Sequence, residues 1–221
     1  MTTAVVTGAN RGIGLSLVKA LRARGLHVIA ACRTKSPELV LSGAAVVDEV
    51  DVSSDAGVAQ LAKAVDGRPV DLLINNAGIL VWGDDLAGPK WDEITRQFEV
   101  NAVGALRVTH ALLGSLIRGS KIAFITSRMG SIGDNGSGGH YGYRMSKAAM
   151  NIAAVSVARD LAPRGVAVAV LHPGMVSTDM IGGRGQISPD VAAQGLLQRI
   201  DALTLETSGF FWHQNGDVLP W

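Results

Sequence analysis

The chain alternates short apolar, β-branched runs with longer stretches whose apolar residues recur at helical spacing. Residues 4–7 (AVVT), 27–31 (HVIAA), 45–50 (AVVDEV), 70–74 (VDLLI), 121–126 (KIAFIT) and 166–171 (VAVAVL) read as strands, and 209–212 (GFFW) as a further strand closing the sheet. Between them, residues 13–24, 58–65, 90–99, 102–117, 143–161 and 189–203 carry helical periodicity. Strands this apolar, separated by helices, belong to a parallel sheet covered on both faces. The expected fold class is α/β, a single doubly wound Rossmann-type domain over residues 1–221 with no repeat and no linker.

Composition narrows the function. With 221 residues, 48% hydrophobic and 18% charged, the chain can bury an ample core and is not disordered. A net charge of +1 gives no electrostatic case for nucleic acid. No apolar run reaches membrane-spanning length, and the N-terminal residues lack the form of a signal peptide. Cys32 has no second cysteine to pair with, which fits a reducing compartment. A soluble, cytoplasmic protein with no membrane partner is expected. No cluster of His, Cys, Asp and Glu has metal-ligand spacing, so no metal is expected.

Residues 7–14, TGANRGIG, follow the first strand and open the first helix. Gly8, Gly12 and Gly14 allow a tight turn and close backbone approach to a ligand. The helix start adds unpaired N–H groups and the positive end of its dipole, which favour phosphate. Further along, Tyr143 and Lys147 stand four residues apart in a helical pattern and therefore share a face. A phenol with a pKa of about 10 is a poor acid–base group at neutral pH, and a neighbouring cation favours the phenolate. Tyr141 is a second phenol, but its spacing from Lys147 puts it on another face.

These segments, together with Asn75-Asn76-Ala77-Gly78, Asn101, Ser127 and Pro173-Gly174, occur in the order characteristic of the short-chain dehydrogenase/reductase family, which the chain resembles from residue 4 to about 178. Its short length and closing segments (209–211, 219–221) are also similar to the small C-factor and sniffer-type carbonyl reductases. The resemblance implies an oxidoreductase moving a hydride between a nicotinamide cofactor and a carbonyl or alcohol. Tyr143 would exchange the proton with the substrate oxygen. Lys147 would lower the pKa of Tyr143 and hold the nicotinamide ribose. Ser127 would orient the substrate oxygen, and it is preferred over Ser131 because residues 127–130 (SRMG) match the family's strand-end pattern. Asn101 would support a water chain through Lys147. The interval from Ser127 to Tyr143 is longer than the family's usual one, and the glycine-rich residues 134–140 read as an insertion.

Around the cofactor, the resemblance implies contacts from Gly8, Asn10, Arg11, Gly12, Ile13 and Gly14 in the turn. It adds Asp51 and Val52 at the adenine edge, and Asn75, Ala77 and Gly78 on the adenosine side. Pro173, Gly174, Val176 and Thr178 would close over the carboxamide, and Tyr143 and Lys147 complete the set. The second strand ends Ala31-Cys32-Arg33-Thr34, with no carboxylate to repel a 2′-phosphate. Arg33 and Arg11 offer guanidinium groups suited to one. NADP(H) is therefore preferred, with NAD(H) kept as the alternative.

Residues 179–188, with Gly182, Gly183 and Gly185, read as a short substrate lid. Trp82, Met129, His140, Met175 and Met180 are candidate lining for an apolar small-molecule carbonyl substrate. Residues 102–117 and 143–161 are apolar around much of their circumference, which predicts a homodimer or homotetramer. A second reading is a dinucleotide-binding regulatory or signalling protein with little catalysis, against which the intact Asn101, Ser127, Tyr143 and Lys147 argue.

Overall fold

The computed structural model describes residues 2–83 and 85–221; Met1 and Asp84 lie outside the described residues. Seven strands form one sheet: β1 (Thr3–Thr7), β2 (His27–Ala31), β3 (Ala45–Val47), β4 (Val70–Asn75), β5 (Leu116–Ile125), β6 (Ala167–His172) and β7 (Phe211–His213). Their spatial order is β3-β2-β1-β4-β5-β6-β7, and every neighbouring pair is parallel. The order reverses between β1 and β4, so a crevice opens there beyond the strands' C-terminal ends.

The helices are α1 (Gly12–Ala23), α2 (Pro37–Val40), α3 (Asp55–Val65), α4 (Trp91–Phe98), α5 (Gly104–Ala111), α6 (Tyr141–Leu161) and α7 (Pro189–Ala202). Alternation along each strand divides the core in two. Val5, Leu73, Ile122, Phe124, Val168 and Val170 face one layer, with Leu61, Val108, Met150 and Ala154 from α3, α5 and α6. Ala4, Val6, Leu72, Ile74, Ala169 and Leu171 face the other, with Leu17, Leu21, Leu196 and Ile200 from α1 and α7. Conventional caps begin α3, where Ser54 Oγ accepts the Gly57 N–H at 3.0 Å, and α7, where Ser188 Oγ accepts that of Val191 at 3.2 Å. No side chain caps the start of α1.

Several boundaries differ from the sequence reading. The helix expected over 102–117 ends at Ala111, a 3₁₀ turn follows (Leu113–Ser115), and Leu116 already belongs to β5. Leu112, Leu116 and Ile117 continue a helical spacing, but Leu112 and Leu116 are buried by sheet and helix together and Ile117 is exposed. The third strand stops at Val47, because Glu49 adopts positive φ and turns the chain. Helix α6 begins at Tyr141, two positions before the expected Tyr143. Strand β7 lies beside β6 at the sheet edge, as residues 209–212 suggested.

Candidate active site

The strand ends β1 and β4 are stitched together by side chains. Thr7 Oγ1 accepts the N–H groups of Asn76 and Ala77, both at 3.1 Å. Asn76 Nδ2 returns bonds to the carbonyls of Thr7 (2.9 Å) and Gly8 (3.1 Å). A Cβ at Gly14 would stand 2.1 Å from the Gly8 carbonyl, and one at Gly8 would stand 2.8 Å from Ala77 Cα. Gly8 (φ +63) and Gly12 (φ +53) also hold left-handed backbone. The turn leads into a helix whose first N–H groups have no side-chain cap and whose first turn carries no acid. Bare N–H groups, a close-packed glycine cradle and a positive dipole end fit a pyrophosphate.

The remaining cofactor candidates ring this crevice. Asn10 reaches the Thr34 carbonyl at 2.9 Å and so ties the turn to the end of β2, beside exposed Arg33. Arg11 pairs with Asp179 at 3.4 Å, both well exposed. Ile13 is half-buried and packs on the α1 core. A hydrogen bond from the Ser53 hydroxyl holds the Asp51 carboxyl below its usual range, and Val52 is buried against Gly104. Beyond β6, Pro173 is buried, Gly174 takes φ +87, Val176 bridges to Ile187, and the Thr178 methyl would stand 3.2 Å from a Cβ at Gly12. The glycine turn and the segment after β6 therefore face one another. Ala77 and Gly78 lie in the crevice wall, half-buried. Asn75 points elsewhere: its Nδ2 bonds Thr109 Oγ1 at 2.9 Å inside the core, so it offers a ligand only backbone. Asn76, which sequence reasoning passed over, supplies the side chain on this side.

The catalytic candidates converge on the β5 end. Ser127 Oγ accepts the Met129 N–H at 3.1 Å, which leaves its own proton free, and the serine side chain opposes the raised pKa of the Tyr143 phenol. Ser131 is not available in the same way: its hydroxyl donates to the Trp221 main-chain oxygen and accepts the Asp134 N–H, each at 3.1 Å. Tyr141 is partly exposed and separate from the buried Tyr143. Gly130 lets the turn lie against α6, where a Cβ would come within 2.7 Å of the Lys147 carbonyl carbon.

Lys147 is buried, with Nζ 3.0 Å from the Ile125 carbonyl and 5.7 Å from the centre of the Tyr143 ring. Burial pushes Lys147 down to about 8 and Tyr143 up to about 12, and Ser127, not Lys147, is the side chain that acts against the tyrosine's rise. Asn101 sits in a π turn (Glu99–Val103) between α4 and α5. Its amide donates to the Ile79 carbonyl and to Ser146 Oγ, both at 2.9 Å, and accepts the Ile79 N–H at 2.8 Å. Ser146 in turn donates to the Tyr143 carbonyl at 2.8 Å. Asn101 thus ties the crevice wall beside Gly78 to α6. Ser146, one residue before Lys147, was the signal sequence reading missed.

His172, at the end of β6, is held down to about 3 by burial first, then by His213, Arg128 and Lys147, so it is neutral. On the substrate side, Trp82 meets His140 edge-to-face at 5.1 Å and donates to the Met180 carbonyl at 3.4 Å. Met175 is exposed nearby in sequence. Met129 departs from this group: it lines a cavity of about 320 Å³ with Tyr141, Met145 and Ala148, on a face of α6 that excludes Tyr143 and Lys147. Residues 179–188 fold back on the segment after β6, with Ser177 N–H bonding the Ile187 carbonyl at 2.9 Å. Among the described residues there is no group of three or more metal-ligating side chains, and no helix long and apolar enough to cross a membrane.

The chain belongs to the short-chain dehydrogenase family, whose model, described as short chain dehydrogenase, matches residues 2–186. It is an oxidoreductase of that family. Among its relatives, the 1-hydroxy-2-glutathionyl-2-methyl-3-butene dehydrogenase of Rhodococcus sp. (strain AD45) is 43% identical, covering 100% of both chains. C-signal of Myxococcus xanthus is 44% identical over 69% of this chain and 93% of its own. An NADPH-bound carbonyl reductase from chicken fatty liver superposes with a TM-score of 0.89 at 29% identity, covering 100% of this chain and 99% of that one.

Proposed function

We propose that this oxidoreductase reversibly reduces a carbonyl to an alcohol with NADP(H), with Tyr143 as general acid and base. The observation that carries the reading is the burial of Ser127, Tyr143 and Lys147 together, with the Lys147 ammonium 5.7 Å from the Tyr143 ring, beside a glycine cradle with bare helix N–H groups. When bound, the nicotinamide supplies or accepts the hydride; the chain supplies position and proton. The uncapped start of α1 holds the pyrophosphate, and Lys147 holds ribose hydroxyls. Arg33, exposed at the end of β2 with no carboxylate following it, receives a 2′-phosphate. The nearby acid Asp48 is occupied by the Lys35 N–H and ammonium.

Ser127 and Tyr143 together orient the substrate oxygen. Burial keeps the phenol protonated at neutral pH, which is the state that reduction consumes. Lys147, brought near neutrality by burial, is suited to return that proton from the solvent side. Trp82, His140 and Met180 form one wall for an apolar substrate, with residues 179–188 as its lid. The Rhodococcus relative's name adds hydroxy thioethers, glutathione conjugates included, to the substrates to try. A signalling role without catalysis is disfavoured by the complete catalytic cluster. A cytoplasmic dimer or tetramer completes the reading.

The test is transfer of label. With NADPH deuterated at the transferred position, a panel of ketones, aldehydes and oxidised hydroxy thioethers should yield an alcohol carrying deuterium on the carbinol carbon, faster than with NADH. Cofactor binding with no labelled product across the panel would overturn the proposal.

A further inference from the structure

Residues 219–221 leave the sheet edge and cross to the turn that carries Ser127. Leu219 N–H bonds the Phe211 carbonyl at 2.8 Å, Leu219 is buried, and the Trp221 ring stacks on Phe211 at 5.3 Å with 23° between the planes. At the far side, the main-chain oxygen of Trp221 accepts two bonds, from Gly133 N–H at 2.7 Å and Ser131 Oγ at 3.1 Å. Gly133 is needed for this approach, since a Cβ there would lie 3.1 Å from that oxygen.

From Ser131 the contacts run directly back to Ser127. Ser131 N–H bonds the Arg128 carbonyl at 3.0 Å, Gly130 N–H bonds the Ser127 carbonyl at 2.9 Å, and Met129 N–H bonds Ser127 Oγ at 3.1 Å. On its other flank the same turn is fixed to α6, where Asn151 Nδ2 reaches the Gly130 carbonyl at 3.3 Å. The catalytic serine thus sits on a short turn held at two points. One is the helix that bears Tyr143; the other is residues 219–221, far along the sequence.

We propose that residues 219–221 are a strap that positions Ser127 for the proton transfer, acting through Ser131 and Gly133. Ser131 and Trp221 are positioning residues, and neither touches the cradle that fits the cofactor. Loosening the strap lets Ser127 drift from Tyr143 and weakens the one side-chain influence that opposes the tyrosine's raised pKa. This rests on the catalytic reading of Ser127 and Tyr143 given above.

The test uses Ser131→Ala, Trp221→Ala and the double variant in the full chain. Expected are a drop in kcat of about tenfold for each single change, with an unchanged Kd for NADPH. The pH at which alcohol oxidation reaches half its maximal rate should move upward. The double variant should lose no more than the worse single one, because both loosen the same connection: Ser131→Ala removes the donor, and Trp221→Ala removes the ring whose stacking on Phe211 anchors the accepting main-chain oxygen. Amide exchange across residues 128–134, which needs no turnover, should quicken in Trp221→Ala. If wild type turns over and the variants keep its pH profile, or their effects multiply, the strap is wrong. Slow exchange across 128–134 in Trp221→Ala would also contradict it. Absence of turnover in wild type would instead count against the proposed activity.

Discussion

Lys147 illustrates at the scale of one residue how a group proposed for catalysis is kept at a cost in stability. Its ammonium is buried, satisfied by one carbonyl, and its pKa falls from 10.5 to about 8. The unfolded chain then binds more protons than the folded one between about pH 8 and 10.5, so this residue's contribution to stability improves as pH rises through that window. Below pH 8 the burial penalty is fully present, up to about 3 kcal/mol by the size of the shift. Lys147→Met should therefore stabilise the protein at pH 7 by roughly 1–3 kcal/mol in chemical denaturation while abolishing activity. The gain should shrink toward pH 10.5; a variant less stable than wild type at pH 7 would contradict this. Spacing alone put Tyr143 and Lys147 on one face of a helix, as they are found, with the ammonium 5.7 Å from the ring; the resemblance, not the spacing, singled them out. The direction of the tyrosine's shift was not legible, because burial depends on the strands and turns packed over it. Asn75 teaches the same lesson: its Nδ2 bonds Thr109 inside the core, whereas Asn76 Nδ2 bonds the carbonyls of Thr7 and Gly8.

At the scale of elements, the turn between β1 and α1 and the π turn before α5 do the positioning. The first was readable because glycines in a strand–turn–helix context have few other uses. Gly14→Ala tests it directly. A Cβ 2.1 Å from the Gly8 carbonyl forces the turn apart, so loss of NADPH binding by at least tenfold is expected in fluorescence titration, with destabilisation of about 2 kcal/mol or more. Retained affinity would show that the cradle is not where the cofactor binds. The π turn left no trace in the apolar pattern, since one widened turn shifts the period by a single residue. The end of α5 was misplaced for a related reason. Leu112 and Leu116 suit a helix face, yet Leu116 is claimed by pairing with Val70 in the sheet.

For the whole molecule, a parallel sheet with helices on both faces follows from the strand–helix alternation visible along the chain, whereas the strand order and the crevice at the β1/β4 reversal come from the structure. What alternation does not reveal is which apolar residues remain uncovered in one copy. On α6, Met145 is 52% and Ile152 66% exposed, and Leu106 on α5 is 43% exposed. These support the proposed association. Sedimentation should show a dimer or tetramer, and Ile152→Lys should shift it toward monomer with the fold intact by circular dichroism. A wild-type monomer at micromolar concentration would remove association from the account.

The account rests on one proton donor, so the most direct measurement is Tyr143→Phe with NADPH affinity and turnover determined on the same sample. The change removes a single buried hydroxyl and leaves the glycine cradle untouched. The predicted result is an NADPH Kd within a few-fold of wild type and a fall in kcat of about 10²–10⁴-fold. Turnover at the wild-type rate, with cofactor still bound, would contradict it.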